Sequence, residues 1–442
     1  MSSARRTSGG QHVNPLPPPP TSPFSRRYRG TGTLIGAGAS IPAEFHIVLR
    51  PDASNRVDVR MPLHKKVTRT RAAGAGVRTF RPYRVEGVLA GQRRLIANHV
   101  TFDSETGGWG TAGSQRRLSG DARSIQILRH GPRKGPYRVH QYLCNAPFLS
   151  PEGSVYRSAG GGQHHVSDRL TFVADGVDAT LRLFNSSAGV ARRLAASRGF
   201  EVTTRMETDL ARIVDLPSHR QLGVHVAGLL SIAMGRRVSI AGWSLLTQKG
   251  TPLIEHFQQP IAGPFMRHAQ LIDYQVDELG IGKYLTATVG SMAALAKTHQ
   301  LEPFLDYYIA AIESGGLNRN LLLVVTALES LTHQLILKST HQYVALTTQQ
   351  LDGITLDAKL SRIRSQHPFV TKARWKRLRK DLRPAIRNPL IHRGVVDLAD
   401  FVSAVGACRD LLMLAARLFL KTLGFRGRIR NLARGRSPTW VR

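Results

Sequence analysis

Short apolar and β-branched runs, each bounded by turn formers, fill the chain from about residue 30 to 207 and predict strands. Phe45 to Leu49 and Val57 to Met61 flank the turn-rich stretch Pro51 to Asn55. Val85 to Leu89 and Leu95 to Phe102 form a second pair. Leu170 to Val173, then Asp175-Gly176, then Val177 to Leu183, predict a hairpin, because glycine tolerates the positive φ of a tight turn. After about Pro217 the pattern changes. His219 to Gly235 has helical spacing, and Arg237 to Leu246 and Leu253 to Phe257 read as two closing strands. Beyond about Asp273 the pattern predicts helices over Tyr284 to His299, Pro303 to Ser314, Arg319 to Lys338, Lys372 to Ile386 and Leu398 to Leu423. The last opens on Asp397 and Asp400, acids suited to a helix start. It keeps Phe401, Val405, Cys408, Leu411, Leu412, Ala415, Leu418 and Phe419 on one stripe.

The expected fold class is α+β: a β-rich N-terminal domain followed by an all-α helical bundle. The divisions expected are a basic, Pro-rich disordered tail at 1–29, a β-rich sensor or ligand-binding domain at 30–274, a helical domain at 275–425 and a basic tail at 426–442. The first tail carries Pro17 to Pro20, a polyproline II signature. The second carries Arg426, Arg428, Arg430, Arg434, Arg436 and Arg442 without an acid, which suits a solvated tail or a phosphate tether. No internal repeat is visible.

Charge changes the picture. Of 442 residues, 62 are Lys or Arg and 29 are Asp or Glu, so the formal net charge is +33. Such a field attracts polyanions, nucleic acid first. Only 12 of the basic residues are Lys, and an Arg-skewed codon bias would give the same total, so local placement must decide. The hydrophobic share of 42% supplies enough apolar surface for cores and argues against wholesale disorder. The two cysteines, Cys144 and Cys408, exclude a disulfide framework and fit a reducing compartment. The N-terminus lacks the apolar stretch of a signal peptide. No apolar run approaches the roughly 18 residues of a membrane span, Leu321 to Leu328 being the longest candidate. A cytoplasmic protein without a membrane partner is the expectation.

Familiar enzyme signatures are absent from the sequence: no phosphate-binding G-x-x-x-x-G-K-[ST], no G-x-G-x-x-G after a strand, no G-x-S-x-G, no H-E-x-x-H. His164-His165 sits beside a Gly run without Cys or carboxylates, which favours a loop position over a metal site. No metal and no cofactor are expected.

The informative segment is Arg387-Asn388-Pro389-Leu390-Ile391-His392-Arg393-Gly394. Arg-x4-His spacing alone distinguishes nothing, since it recurs at Arg94/His99, Arg220/His225 and Arg362/His367. Context distinguishes it: a polar Asn388 follows the Arg, and the segment joins two long helices. A third apolar helix upstream reads Val324-Val325-Thr326-Ala327-Leu328-Glu329-Ser330-Leu331. This combination resembles the HEPN superfamily, and its ApeA-like branch in particular, over about residues 275 to 425 by motif and over the N-terminal part by layout. The resemblance implies a metal-free endoribonuclease in which Arg387, Asn388 and His392 are catalytic. It implies a homodimer through the helical domain, with both motifs lining one cleft. It also implies a toxic effector in abortive-infection antiphage defence, with tRNA as the suggested RNA. The N-terminal domain would then meet an unknown trigger, a ligand or a phage protein.

The chemistry stands apart from the name. Metal-free RNA cleavage needs a base for the 2′-hydroxyl, an acid for the leaving oxygen and cations for the phosphate. His titrates near neutrality and can serve as either. Arg is always charged and grips phosphate through two parallel bonds. Between Arg362 and Arg393 there are eleven basic residues and one acid, Asp381. On a continuous helix Lys376, Lys380, Arg383 and Arg387 share one face, which with Arg393 suits an RNA track or an ordinary solvated face. Trp375, Leu378, Leu382 and Ile386 fall on the other, core face. Pro384 should kink the approach, and Pro389 should break the helix before His392. Glu329, the lone acid in its apolar run, could pair with Arg387, help position His392, or lie on the surface. His333 reads as a packing or surface residue. Two other classes compete with the enzyme: a noncatalytic HEPN dimerisation or nucleic-acid-binding module, and a basic scaffold driven by its tails.

Overall fold

The computed structural model describes residues 22–36, 38–62, 69–71, 78–80, 82–107, 115–129, 135–148, 154–157, 163–166, 169–174, 176–184, 190, 192–194, 196, 199–261, 263, 270–272, 280–313, 315–338, 346–366, 371–396, 401–431 and 438–441.

Six strands come first: β1 (Arg27–Gly36), β2 (Ala39–Leu49), β3 (Asn55–Pro62), β4 (Tyr83–Leu89), β5 (Arg93–Gly107) and β6 (Gln115–Leu128). They pair antiparallel in the order β6-β3-β2-β1-β4-β5, and β5 pairs back onto β6. The ladder therefore closes into a barrel, which removes the exposed edges an open sheet would leave. Alternation drives the closure. In β3, Val57, Val59 and Met61 are buried while Asp58 and Arg60 turn outward, as the period of two requires. One core fills the inside, including Leu34, Phe45, Ile47, Val59, Val85 and Phe102.

The sheet continues past the barrel because β6 changes partner along its length. Gln115 to Asp121 pair with β3, and Ser124 to Leu128 pair with a later strand, Pro252–Gln258. The added strands are β7 (Tyr137–Cys144), β8 (Arg169–Ala174), β9 (Val177–Leu183), β10 (Val202–Leu210), β11 (Ser239–Thr247) and β12 (Pro252–Gln258), ordered β12-β11-β7-β10-β9-β8 outward from β6. Two short hairpins stand apart, Arg69–Arg71 with Arg78–Phe80 and Ser154–Arg157 with Gln163–Val166. Every predicted strand pair is present, including the β8–β9 hairpin with Gly176 at φ 76°.

The helices are α1 (Leu216–Met234), α2 (Gly280–Thr298), α3 (Glu302–Glu313), α4 (Leu317–Leu337), α5 (Thr348–Asp352), α6 (Leu356–Gln366), α7 (Lys372–Asp381), α8 (Asn388–Arg393) and α9 (Phe401–Thr422). α1 ends at Gly235, whose φ of 60° is the left-handed cap that glycine adopts without strain. α4 is the central helix, packed by α3, α6 and α9. It has the length and mean hydropathy, 1.4, of a membrane-crossing helix, and half of it is buried inside the fold. The apolar run read from the sequence, Leu321 to Leu328, is only its centre, because Leu331, Leu335, Ile336 and Leu337 extend the apolar character beyond Glu329. The chain is thus α+β, with most strands before most helices: α1 lies between β10 and β11, and one short strand pair follows α9. One hydrophobic core crosses residue 275: Leu143, Leu181 and Leu229 belong to the same cluster as Tyr284, Phe304, Leu328 and Phe419.

Both expected tails need correction. Pro17 to Pro20 lie outside the described residues, but Phe24 is fully buried. It meets Tyr142 and Phe257 edge-on, with centroids 5.6 and 5.4 Å apart, a favoured aromatic geometry. Arg26 Nη1 donates to Glu255 Oε1 at 2.7 Å. The fold therefore begins before residue 30. At the other end β13 (Gly427–Arg430) pairs with β14 (Pro438–Val441), burying Ile429 and Val441. The Arg430 N–H donates to the Leu271 carbonyl at 2.7 Å. Alternation explains it: Arg428 points out while Ile429 points in, so an Arg count alone conceals a strand. The acids Asp397 and Asp400 lie outside the described residues. The stripe of α9 is buried from Cys408 onward, whereas Phe401 and Val402 are 72% and 78% exposed. His164 and His165, expected in a loop, sit in a strand of a short hairpin.

Candidate active site

Helix α7 does not continue regularly into the motif. Residues Leu382–Arg387 form a π-helical turn. Pro384 has no N–H to donate, and the ladder widens around it, a common accommodation of such a residue. The core face is kept, with Trp375, Leu382 and Ile386 buried and Leu378 half-buried. The other face is not continuous, because the wide turn changes the residue spacing before Arg387. The expected single stripe Lys376, Lys380, Arg383, Arg387 is therefore corrected. Lys376 and Lys380 are exposed on α7, Arg387 turns towards α4, and the Arg383 side chain lies outside the described residues.

Pro389 also acts otherwise than expected. It occupies the first turn of α8, where its missing donor is not needed and its φ already suits a helix. His392 is therefore inside a helix, and the break comes after it at Gly394, with φ 72°. Helical geometry then sets the angle between the two motif residues. A separation of five positions at 100° each places His392 about 140° around the axis from Arg387. Arg387 faces α4, and His392 faces solvent. Among the described residues no hydrogen bond or ion pair joins them.

Arg387 Nε donates to Glu329 Oε1 at 2.6 Å. Of the three roles open to Glu329, pairing with Arg387 is the one observed. The two side chains are 30% and 31% exposed, so the pair sits at the rim of the fold. Arg387 Nη1 reaches Asn388 Oδ1 at 3.4 Å, a long contact. Nη2 has no partner among the described residues, so part of the fork stays open to an anion. Four residues along α4, His333 Nδ1 is 3.8 Å from Asp352 Oδ1. His333 is half-buried, which agrees with a packing position.

Sequence reasoning missed Lys359. It lies on α6, a helix the pattern analysis did not mark, and only 7% of it is exposed. Burial lowers its pKa, Glu329 and Asp352 oppose this, and Arg387 adds to it. The Arg387–Glu329 pair thus ties the π turn to α4, and the nearly buried Lys359 of α6 lies within the field of both. The one available signal was Leu356, Leu360 and Ile363 at helical spacing, all buried. On α7, Arg379 Nε meets Asp357 Oδ2 at 3.3 Å, and Arg393 is exposed beside His392. Among the described residues no group of three or more His, Cys, Asp or Glu could hold a metal ion.

No protein-family profile, curated protein or solved structure matches the chain.

Proposed function

We propose that the chain is a metal-independent endoribonuclease. A base takes the 2′-hydroxyl proton, O2′ attacks the adjacent phosphorus, and the P–O5′ bond breaks as an acid protonates the leaving O5′. The products carry a 2′,3′-cyclic phosphate and a 5′-hydroxyl. His392 supplies acid–base chemistry, typically worth roughly a hundred- to ten-thousandfold in rate. Arg387 binds the phosphate through its open Nη2, Asn388 orients it, and Glu329 positions Arg387. Lys376, Lys380, Arg383 and Arg393 carry the RNA strand. The observation that carries this reading is an Arg held from behind by Glu329 with part of its fork free.

One motif contributes one His392, whereas the reaction needs a base and an acid. A second copy supplies the other. Ile391, Val395, Phe401 and Val402, all exposed apolar residues flanking His392 in sequence, support a homodimer through this edge of the helices. Exposed apolar side chains are suited to burial against a protein partner. In the same reading, which extends the resemblance to ApeA-like proteins, the RNA is tRNA. The cutting then stops host growth in antiphage defence once a trigger reaches the N-terminal part. The protein works in the cytoplasm.

A second reading is favoured by one observation. The angle that separates His392 from Arg387 suits a noncatalytic dimerisation or nucleic-acid-binding module, in which the Arg387–Glu329 pair is structural.

Purified protein incubated with total RNA in EDTA separates the two, with tRNA resolved and ends mapped. Cutting to cyclic phosphate ends by wild type, lost in His392→Ala and in Arg387→Ala, supports the enzyme. Cutting retained in both variants refutes the site. Wild type that neither cuts RNA nor is toxic on expression, yet binds RNA, supports the binding module.

A further inference from the structure

A cleft of about 890 Å³ lies away from the motif, where α1 and α3 meet the outer face of the sheet. Its size is that of a small-molecule site, and a junction between layers is where such sites form. The sheet wall carries Trp243 stacked on His256, with centroids 5.8 Å apart and planes at 22°. The Arg220 guanidinium of α1 lies over the Trp243 ring, 5.0 Å from its centroid. A guanidinium stacked by its face keeps its edge donors for an anion and is held in place for it.

Two further groups face the same space for an unusual reason. The ladder between β5 and β6 pairs Asn98 with Ser124 and Val100 with Ala122 but skips His99 and Arg123. His99 has φ 50°, a left-handed conformation that is strained for a residue with a β-carbon. On its other side β5 shifts register against β4 between Ala97 and Val100, a bulge at Asn98 and His99 of the kind that re-aims side chains, and His99 and Arg123 both line the cleft. Both are exposed, and neither has a side-chain hydrogen bond or ion pair among the described residues. The third arginine of the cleft is already engaged: Arg237 Nη1 meets Asp306 Oδ1 at 2.7 Å.

The α3 wall differs. It offers the carboxylate of Glu302 and the apolar Leu305 and Ile309. One wall thus favours a phosphate, and the other favours a body with hydroxyl or amine donors and an apolar face. We propose that this cleft binds a nucleotide-sized organic phosphate, with Arg220, Arg123 and His99 on the phosphate and the α3 wall on the nucleoside. Such binding does not depend on the proposed ribonuclease activity.

Isothermal titration of the full chain with AMP, GMP, CMP and UMP, each to millimolar concentration, tests it. At least one should bind saturably, and more tightly than adenosine or inorganic phosphate alone. Arg220→Ala and Arg123→Ala should each weaken binding about tenfold or more, and His392→Ala should leave it unchanged. Both arginines are exposed, so unchanged unfolding temperatures are expected. His99→Ala, equally exposed, replaces either variant that fails to fold. Absence of binding by all four nucleotides overturns the proposal, as does binding that survives the arginine substitutions.

Discussion

Arg387 and Glu329 lie 58 positions apart in the chain, and their side chains meet at 2.6 Å. The contact fixes the motif arginine to the middle of the central helix. It also orients the fork, since Nε is taken and Nη2 is left open. Glu329→Gln keeps the shape and removes the charge. It should lower the RNA cleavage rate about tenfold, the equivalent of roughly 1.4 kcal/mol, with a small change in KM. A rate equal to wild type, measured under single-turnover conditions, would show that Glu329 has no positioning role.

The exposed pair Phe401 and Val402 gives a test of assembly. Phe401→Asp with Val402→Asp should leave the unfolding temperature within a degree or so of wild type, because neither side chain is in the core. Light scattering should report a dimer for wild type and a monomer for the double variant, and cleavage should fall with it. A double variant that remains a dimer removes this edge as the interface.

Glu255 is 3% exposed, and Arg26 is its ion-pair partner. Burial raises the Glu255 pKa, and Arg26 opposes the rise. Arg26→Ala should destabilise by about 2–4 kcal/mol, since it strands a buried charge. Adding Glu255→Gln should recover part of that loss. Denaturant midpoints of the two single variants and the double variant measure the coupling, and simple additivity would refute it.

His140 predicts a pH slope. Its pKa is pushed down to about 2 by burial and by Arg205, Arg138 and Arg182 nearby. The folded state therefore keeps it neutral while the unfolded chain takes up a proton below its ordinary value. Stability from this group is fully present above pH 6.5 and falls with acid at about 1.4 kcal/mol per pH unit. His140→Leu should flatten the wild-type slope between pH 6.5 and 4.5, measured by urea unfolding. Parallel slopes would show that His140 protonates in place.

Much of the β-region was legible because alternation and turn residues are local signals. Val57, Val59 and Met61 declare their inward face without reference to any partner, and Asp175-Gly176 declares its turn. The long helices declared themselves in the same way. Two prolines were legible as constraints but not as outcomes. Pro384 yields a widened turn instead of a plain kink, and Pro389 starts a helix instead of ending one. In each case the neighbouring packing decides, through Leu382, Ile386 and Leu390, all buried.

By itself, the sequence determined the order of strands before helices, the basic character of α7 and the motif Arg387, Asn388, His392. These depend on composition and on periods of two and 3.6, which neighbours in the chain suffice to set. Only the tertiary structure decided that β5 returns to β6, that one core crosses residue 275, and that Lys359 is buried on α6. It alone tied Arg387 to Glu329 and left His99 and Arg123 out of their ladder. The physical reason is the same throughout. Side chains distant along the chain meet only when buried surface forces them together, and no local pattern encodes which ones will.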